Sequence, residues 1–260
     1  MITVRRRSFD YTNSPKYYYK KSKFVTHFLN ALSTSFPPGE HFFVRAVRRF
    51  RTSNKTSALE RDISAFIGQE AFHSIAHEAM NEYATKHDLP LEQIQTALDT
   101  AIKIIESTLT PKQCLAFTIA LEHYTAVMGE ELLNNHKWLA NMASPYKDLW
   151  QWHATEEVEH KSVAFDVYKL NCDDYLTRIV TMSIIHVVFI TVMLIITGGL
   201  MYKDRDMSTF EKIDQTIYGL WQLFGTKGFI TNIAKQLPQY YLPGFHPFIV
   251  TGKQCQTWRS

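Results

Sequence analysis

The chain has 260 residues, 45% of them hydrophobic, which allows one substantial core and suits one helical domain plus a tail. Three widely separated cysteines, Cys114, Cys172 and Cys255, form no C-x-x-C pair; this excludes a disulfide framework and fits a reducing compartment. The net charge is only +3, but residues 1–55 hold twelve Lys and Arg against Asp10 and Glu40. That basic arm reads either as a solvated surface or as a contact for acidic lipid headgroups or nucleic acid, and nothing else in the chain favours nucleic acid.

The opening MITVRRRSFDY carries charges without a following apolar segment, so no secretory signal is expected and the location is read as cytoplasmic. Pro37-Pro38-Gly39 is expected to break the chain just before Glu40, with Pro38 in the first turn of the next helix. Ser57-Ala-Leu-Glu60 reads as a capping box opening a helix to about His87, and Pro90 opens another to about Ser107. Thr110-Pro111 starts a helix to about Leu139, and Ser144-Pro145 one to about Leu170. Ser208-Thr-Phe-Glu211 is a further capping box. Period-2 runs are scarce, so the fold class is all-α. Residues 1–34 are expected as a basic arm and helix, 35–171 as a metal-binding bundle, and 172–260 as a C-terminal apolar helical extension.

Residues 179–202 hold no Asp, Glu, Lys or Arg. As a helix they extend ~36 Å, enough to cross a bilayer core, although a buried or dimer-interface helix has the same composition. Trp221, Phe224, Phe229, Tyr240 and Tyr241 follow among lysines, a mixture that suits a membrane interface and ordinary packing alike.

The most informative pattern is Glu70-x-x-His73 and Glu157-x-x-His160, each preceded by a lone glutamate, Glu40 or Glu122. At 100° per residue, Glu70, His73 and His77 share a face with Ile63, Phe66 and Ile67, and His153, Glu157 and His160 share one with Leu149, Trp150 and Ala164. Glu122 lies with Leu115, Ile119, Ala126 and Leu133, and Glu40 with Phe43, Val44 and Val47. Carboxylates on core-facing stripes must be protonated, paired or metal-bound, and four of them repel one another without cations. Two divalent ions offset four carboxylates, and mixed oxygen and nitrogen donors suit Fe first, with Mn or Zn as alternatives. The competing reading is a set of buried ion pairs. His77 and His153 are candidates for extra ligands or for groups that orient ligands. Glu156 and Glu159 rotate away from Glu157 and are expected on a solvated face or behind the ligands, His41 and His123 lie off the stripes and are expected at the surface or between helices, Asp166 is expected to be exposed, and His246 has no assigned role.

The order Glu, Glu-x-x-His, Glu, Glu-x-x-His resembles the ferritin-like di-iron carboxylate superfamily. The segments FIGQEAFHSIAHEAMN (66–81), ALEHYTAVM (120–128), WHATEEVEHKSVAFDVY (152–168) and YLPGFHP (241–247) are similar to a bacterial family labelled predicted metal-dependent hydrolase. The resemblance implies a ferritin-like four-helix bundle and a two-metal site of Glu40, Glu70, His73, Glu122, Glu157 and His160, with His77 and His153 in excess of the minimal di-iron set. The leading expectation is oxygen-dependent oxidation of an apolar or amine substrate, served by an electron donor. The alternatives are hydrolysis of an ester, amide or phosphate, and non-catalytic metal binding. A lipid-like small-molecule substrate, membrane contact through 179–202 at the inner membrane, and a homodimer complete the expectations.

Overall fold

The structure, a computed structural model, describes residues 2–51 and 56–248. The last residues of the expected C-terminal extension, with Cys255, lie outside the described residues, as does Lys55 of the basic arm. The described residues are α-helical, without a β-strand beyond an isolated bridge between Tyr19 and Met142. The helices are α1 (Lys23–Arg48), α2 (Ser57–Thr85), α3 (Leu91–Thr108), α4 (Pro111–Asn134), α5 (Lys137–Ala140), α6 (Tyr146–His160), α7 (Val163–Asn171), α8 (Tyr175–Lys203), α9 (Thr209–Phe224) and α10 (Phe229–Ala234). A short 3-10 turn, Leu237–Tyr241, follows.

Side-chain caps fix half of the helix starts. Ser22, Thr56, Thr110, Asp174 and Ser208 each accept a backbone N–H of the first turn of α1, α2, α4, α8 and α9. Thr110 and Gln113 form a full capping box, with Pro111 at the first helical position. The cap of α2 is Thr56 rather than Ser57, and α6 begins after Pro145 with no side-chain cap, so Ser144 does not serve the expected role.

Pro37 and Pro38 do not break the chain: α1 runs through both, and the expected boundary at residues 34 and 35 falls inside it. The reason is a contact from α2. A proline at 37 removes the N–H that would bond to the carbonyl of Ser33. That carbonyl instead accepts from Asn81 Nδ2 of α2 at 3.1 Å. The neighbouring residue, Thr34, donates its hydroxyl to Asn30 O at 2.7 Å. The α4 helix ends at Asn134, short of Leu139, and the segment expected as one helix to Leu170 divides at Lys161 and Ser162 into α6 and α7. Lys161 is buried at this division and ion-pairs with Glu130 of α4 at 3.0 Å.

Four helices surround the centre. α1 packs on α2 and α4, and α6 packs on α4 and α2, which places Glu40, Glu70, Glu122 and Glu157 on four converging walls. Gly129 permits one of these approaches, because a Cβ there would lie 2.9 Å from the carbonyl oxygen of Ala154 in α6. Phe42, Phe66, Leu115, Ile119 and Leu149 are buried around the polar centre. Each such side chain contributes roughly 1.5–3 kcal/mol on burial, which offsets the cost of enclosing carboxylates.

Helix α8 packs one face, Met182, Ile185, Met193, Ile196 and Leu200, against α1 and α4. Its other face, with Val180, Ile184, Val187 and Ile195, is exposed and apolar. The helix is 29 residues long with a mean hydropathy of 2.7 over its most apolar stretch, and 22% of that stretch is buried, so it is not the wholly buried helix that the composition also allowed. About half of the basic residues of the N-terminal region are ion-paired within the chain: Arg5 meets Glu156 and Glu159, Lys16 meets Asp204 and Asp206, Lys23 meets Glu211, Arg45 and Arg49 meet Glu106, and Arg51 meets Glu60.

Candidate metal centre

The structure brings Glu40, Glu70, His73, Glu122, Glu157 and His160 together, all buried, and adds His153. Three groups have ligand atoms within 4.8 Å of one another and could hold a cation: Glu40, His73 and His153; Glu70, His73 and Glu157; and Glu70, Glu122 and His160. Glu157 lies at the middle. Its Oε1 is 3.1 Å from His153 Nε2, 3.5 Å from His73 Nδ1 and 3.6 Å from His160 Nε2. His160 Nε2 is also 3.0 Å from Glu70 Oε1 and 3.4 Å from Glu122 Oε2.

Behind each imidazole stands a group that fixes its tautomer. Gln69 Nε2 donates to Thr3 O at 3.1 Å, so Gln69 Oε1 must accept from Nδ1–H of His160 at 3.0 Å. The lone pair on His160 Nε2 then points into the centre. His73 Nε2 lies 3.1 Å from Glu156 Oε2, an acceptor, which leaves His73 Nδ1 facing inward. The third case is a relay. Asn81 Nδ2 donates to Ser33 O, so its Oδ1 accepts from the Ser33 hydroxyl at 2.7 Å. The Ser33 oxygen then accepts from His77 Nδ1–H at 2.9 Å, and His77 Nε2 accepts from His153 Nδ1–H at 2.8 Å. His153 Nε2 is therefore a free lone pair directed at the centre. His77 and His153, indistinguishable on the helix face, separate here: His153 faces the carboxylates and His77 orients it.

His77 and Glu156 take a supporting role that the sequence allowed, but the other supports were not foreseen. Gln69, Ser33, Ser74 and Asn81 are ordinary polar residues in the sequence, and their only signal is a position on or beside the apolar stripes. Arg5 had none. Its guanidinium holds Glu159 through two bonds of 2.7 and 2.8 Å and reaches Glu156 at 3.2 Å, and Glu156 in turn holds His73. Ser74 donates to Glu40 Oε2 at 2.8 Å. His123 is buried between Tyr240 and Phe245, His41 is exposed, and His246 pairs with Asp166 at 2.9 Å, remote from the centre.

The charges are not balanced by side chains alone. Burial pushes Glu40 up to about 8 and raises Glu70 and Glu122 as well. Burial opposes protonation of His73 and His160, but Glu156 and Glu157 raise His73 to about 9, and Glu157, Glu70 and Glu122 raise His160. Glu157 is also pushed up by burial, yet the facing His160, His153 and His73 bring it well below the usual carboxylate range. Burial lowers His77, and lowers His153 to about 4. Protons thus occupy the place that cations could take.

The donor atoms fit that exchange. Both oxygens of Glu70 and of Glu122, Glu40 Oε1, Glu157 Oε2, His73 Nδ1, His153 Nε2 and His160 Nε2 are buried without a hydrogen-bond partner. Unpartnered buried polar atoms each cost about 1–3 kcal/mol and are rare. Nine in one cluster, with lone pairs directed at a common space, form a donor set for cations.

No curated protein and no solved structure matches the chain significantly. A family profile described as predicted metal-dependent hydrolase matches residues 3–249. The match takes in all four helices that carry the buried Glu and His cluster, and the chain belongs to the predicted metal-dependent hydrolase family.

Proposed function

We propose that the chain is a metal-dependent hydrolase whose centre holds two divalent cations in a ferritin-like arrangement of α1, α2, α4 and α6. The observation that carries this reading is the inward cluster of unpartnered carboxylate and imidazole atoms. Glu70, Glu122 and His160 form one half of the centre, Glu40, His73 and His153 the other, and Glu157 lies between them. Four carboxylates with three imidazoles suit Fe, Mn or Zn. Cations bound there would acidify a water and polarise a carbonyl or phosphoryl group.

The chain's own residues do the rest. Gln69, Glu156 and His77 hold three imidazoles with lone pairs inward, so the donor set needs little reorganisation. The buried apolar residues around the centre limit bulk water. In hydrolysis the water oxygen bonds to the acyl or phosphoryl atom, the bond to the leaving group breaks, and the water proton passes to the leaving group. Glu157, ringed by His73, His153 and His160, is held ionised in the cation-free protein and so offers a ready negative charge at the middle of the centre.

Purified protein loaded with Zn or Mn and assayed on carboxylic esters, amides and phosphate esters tests this reading. Turnover that is lost in Glu157→Ala supports it. No turnover with any metal, or turnover that survives Glu157→Ala, counts against it.

Oxygen-dependent oxidation, the leading expectation from the sequence, becomes the second reading, since the family description favours hydrolysis. An apolar cleft that reaches Glu157 and His153 keeps it in view, because oxidation suits substrates without a scissile bond. Protein loaded with Fe(II) under anaerobic conditions and then exposed to O2 should develop new absorption if it holds. An unchanged spectrum removes it.

We also propose that α8 and α9 rest against a bilayer. Phe210, Ile213, Ile217, Trp221 and Phe224 form an exposed stripe along α9, and α8 carries an exposed apolar face of its own.

A further inference from the structure

We infer that the centre acts on a molecule with a single linear aliphatic chain, held in the cleft beside Glu157. The inference rests on the hydrolase reading only for the position of the scissile group; the chain slot stands on the shape of the cleft.

Three helices wall the cleft and recede from the centre together. On α1 the lining runs backwards from Phe36, one turn before Glu40, through Leu32 and Leu29 to Val25. On α4 it runs forwards from Thr125, one turn after Glu122, to Leu132. On α6 it runs backwards from Glu157 to Trp150. The ionisable groups of the lining, Glu157 and His153, are therefore at one end. The far end is closed by Leu223 and Phe229, both buried. A polar head would meet the carboxylates, whereas polar groups further along would lose hydrogen bonds to water and find no replacement.

The dimensions select the chain. The cleft encloses about 540 Å³ of space between atoms, its mouth included, but only about 40 Å³ of it admits the centre of a water molecule. A site that narrow takes a slim chain in preference to a ring system. Eleven residues of α1 rise ~17 Å from Val25 to Phe36. At roughly 1.3 Å of advance per methylene, from a C–C bond of ~1.5 Å, that length holds about a dozen carbons.

The test uses the full-length protein loaded with Zn. The affinity of each saturated fatty acid of increasing length, from hexanoic to hexadecanoic, is measured by isothermal titration calorimetry. Each added methylene should tighten binding by roughly fourfold, as its burial implies, until the slot is full at about twelve carbons. Val25→Phe at the far end should bring the plateau to a shorter chain while hexanoic and octanoic acids bind as before. Leu132→Phe, on a different wall, should act in the same direction and guards against a folding defect in the first variant. Equal affinity across the series, or a loss in both variants that is the same for every chain length, overturns the slot. Chain-length dependence with no hydrolysis of the matching esters overturns the hydrolase reading and leaves the slot. Hydrolysis of short esters with no chain-length dependence does the reverse.

Discussion

Gln69 accepts a hydrogen bond from Nδ1 of His160 at 3.0 Å while donating to Thr3 O and, at 3.2 Å, to Glu159. One amide thus ties the N-terminal segment to the tautomer of a buried imidazole. Gln69→Leu keeps the approximate size and removes the acceptor. Groups that orient a ligand typically govern cation affinity by 10–100-fold. Gln69→Leu should weaken cation binding by roughly that factor, read by competition with a chromophoric chelator, while helical content is kept. Gln69→Glu retains the acceptor for His160 but loses the bonds to Thr3 O and Glu159, and should recover only part of the affinity. Equal affinity in Gln69→Leu and the parent would show that the contact does not position His160.

The relay Asn81–Ser33–His77–His153 makes a second prediction. Ser33→Ala removes the acceptor for His77 and frees that ring to present either nitrogen to His153. Cation affinity should fall by about tenfold at the half of the centre that His153 serves, with the other half little changed. Two resolved binding steps in a calorimetric titration, of which only one moves, is the expected result. A uniform change in both steps would place His153 outside the donor set.

Cation uptake should release protons, more of them at neutral than at high pH. Glu40 is raised to about 8 by burial, and His73 to about 9 by Glu156 and Glu157 against its own burial. Both groups are therefore protonated at pH 7 in the cation-free protein. A proton held more tightly in the folded than in the unfolded state stabilises folding at low pH, and that contribution is lost as pH rises through the folded value. Cation-free protein should thus lose thermal stability between about pH 7 and 9, whereas the loaded protein should not. Apparent cation affinity should rise over the same range. Parallel melting curves with and without Zn check the sign, and a cation-free Tm that climbs over this interval would contradict it.

The helices were legible in the sequence because proline, Ser and Thr caps and a 3.6-residue apolar period mark them directly. The convergence of Glu40, Glu70, Glu122 and Glu157 was legible for the same reason, since a carboxylate on a core-facing stripe needs a partner. The continuity of α1 was not. Pro37 predicts a break, and the compensating donor, Asn81 Nδ2, lies 48 residues downstream of Ser33. The division between His77 and His153 was equally hidden, because it depends on Ser33 and Asn81, whose roles appear only once α1 and α2 are packed. Arg5 shows the limit most clearly, since its partners Glu156 and Glu159 are more than 150 residues away.

Asp204, just past α8, should govern acid stability. Its carboxylate accepts from Lys16 Nζ at 2.7 Å and Tyr17 Oη at 2.8 Å, and lies 2.8 Å from His27 Nε2, joining the end of α8 to the N-terminal segment and α1. Burial pushes its pKa up, but these partners and the Asp206 N–H bring it below the usual carboxylate range. A lowered folded-state value contributes stability above the unfolded pKa of ~3.9, and that stability is lost as pH falls through the folded value. Asp204→Asn should cost roughly 2–3 kcal/mol at pH 7, with the deficit shrinking below about pH 4. Urea unfolding at several pH values measures it, and a deficit independent of pH would exclude this carboxylate as the cause.

The exposed stripe of α9 gives the clearest test of membrane contact. Phe210, Ile213, Ile217, Trp221 and Phe224 recur at helical spacing and point away from Leu223, which is buried in the cleft wall. Water-facing apolar stripes of this kind are disfavoured unless something covers them. A bilayer interface suits this one because Trp221 sits within the stripe and Lys212 and Lys227 lie at the two ends of the helix. Full-length protein should float with vesicles of mixed phosphatidylcholine and phosphatidylglycerol. Ile213→Glu with Ile217→Glu should abolish flotation, because two charges on that face must then be dehydrated, and should leave cation content unchanged, because neither residue touches the centre. Flotation unaltered by the double substitution would move the contact to α8. No flotation of the parent protein would leave both apolar faces to be covered by another copy of the chain, which sedimentation of the same samples would reveal.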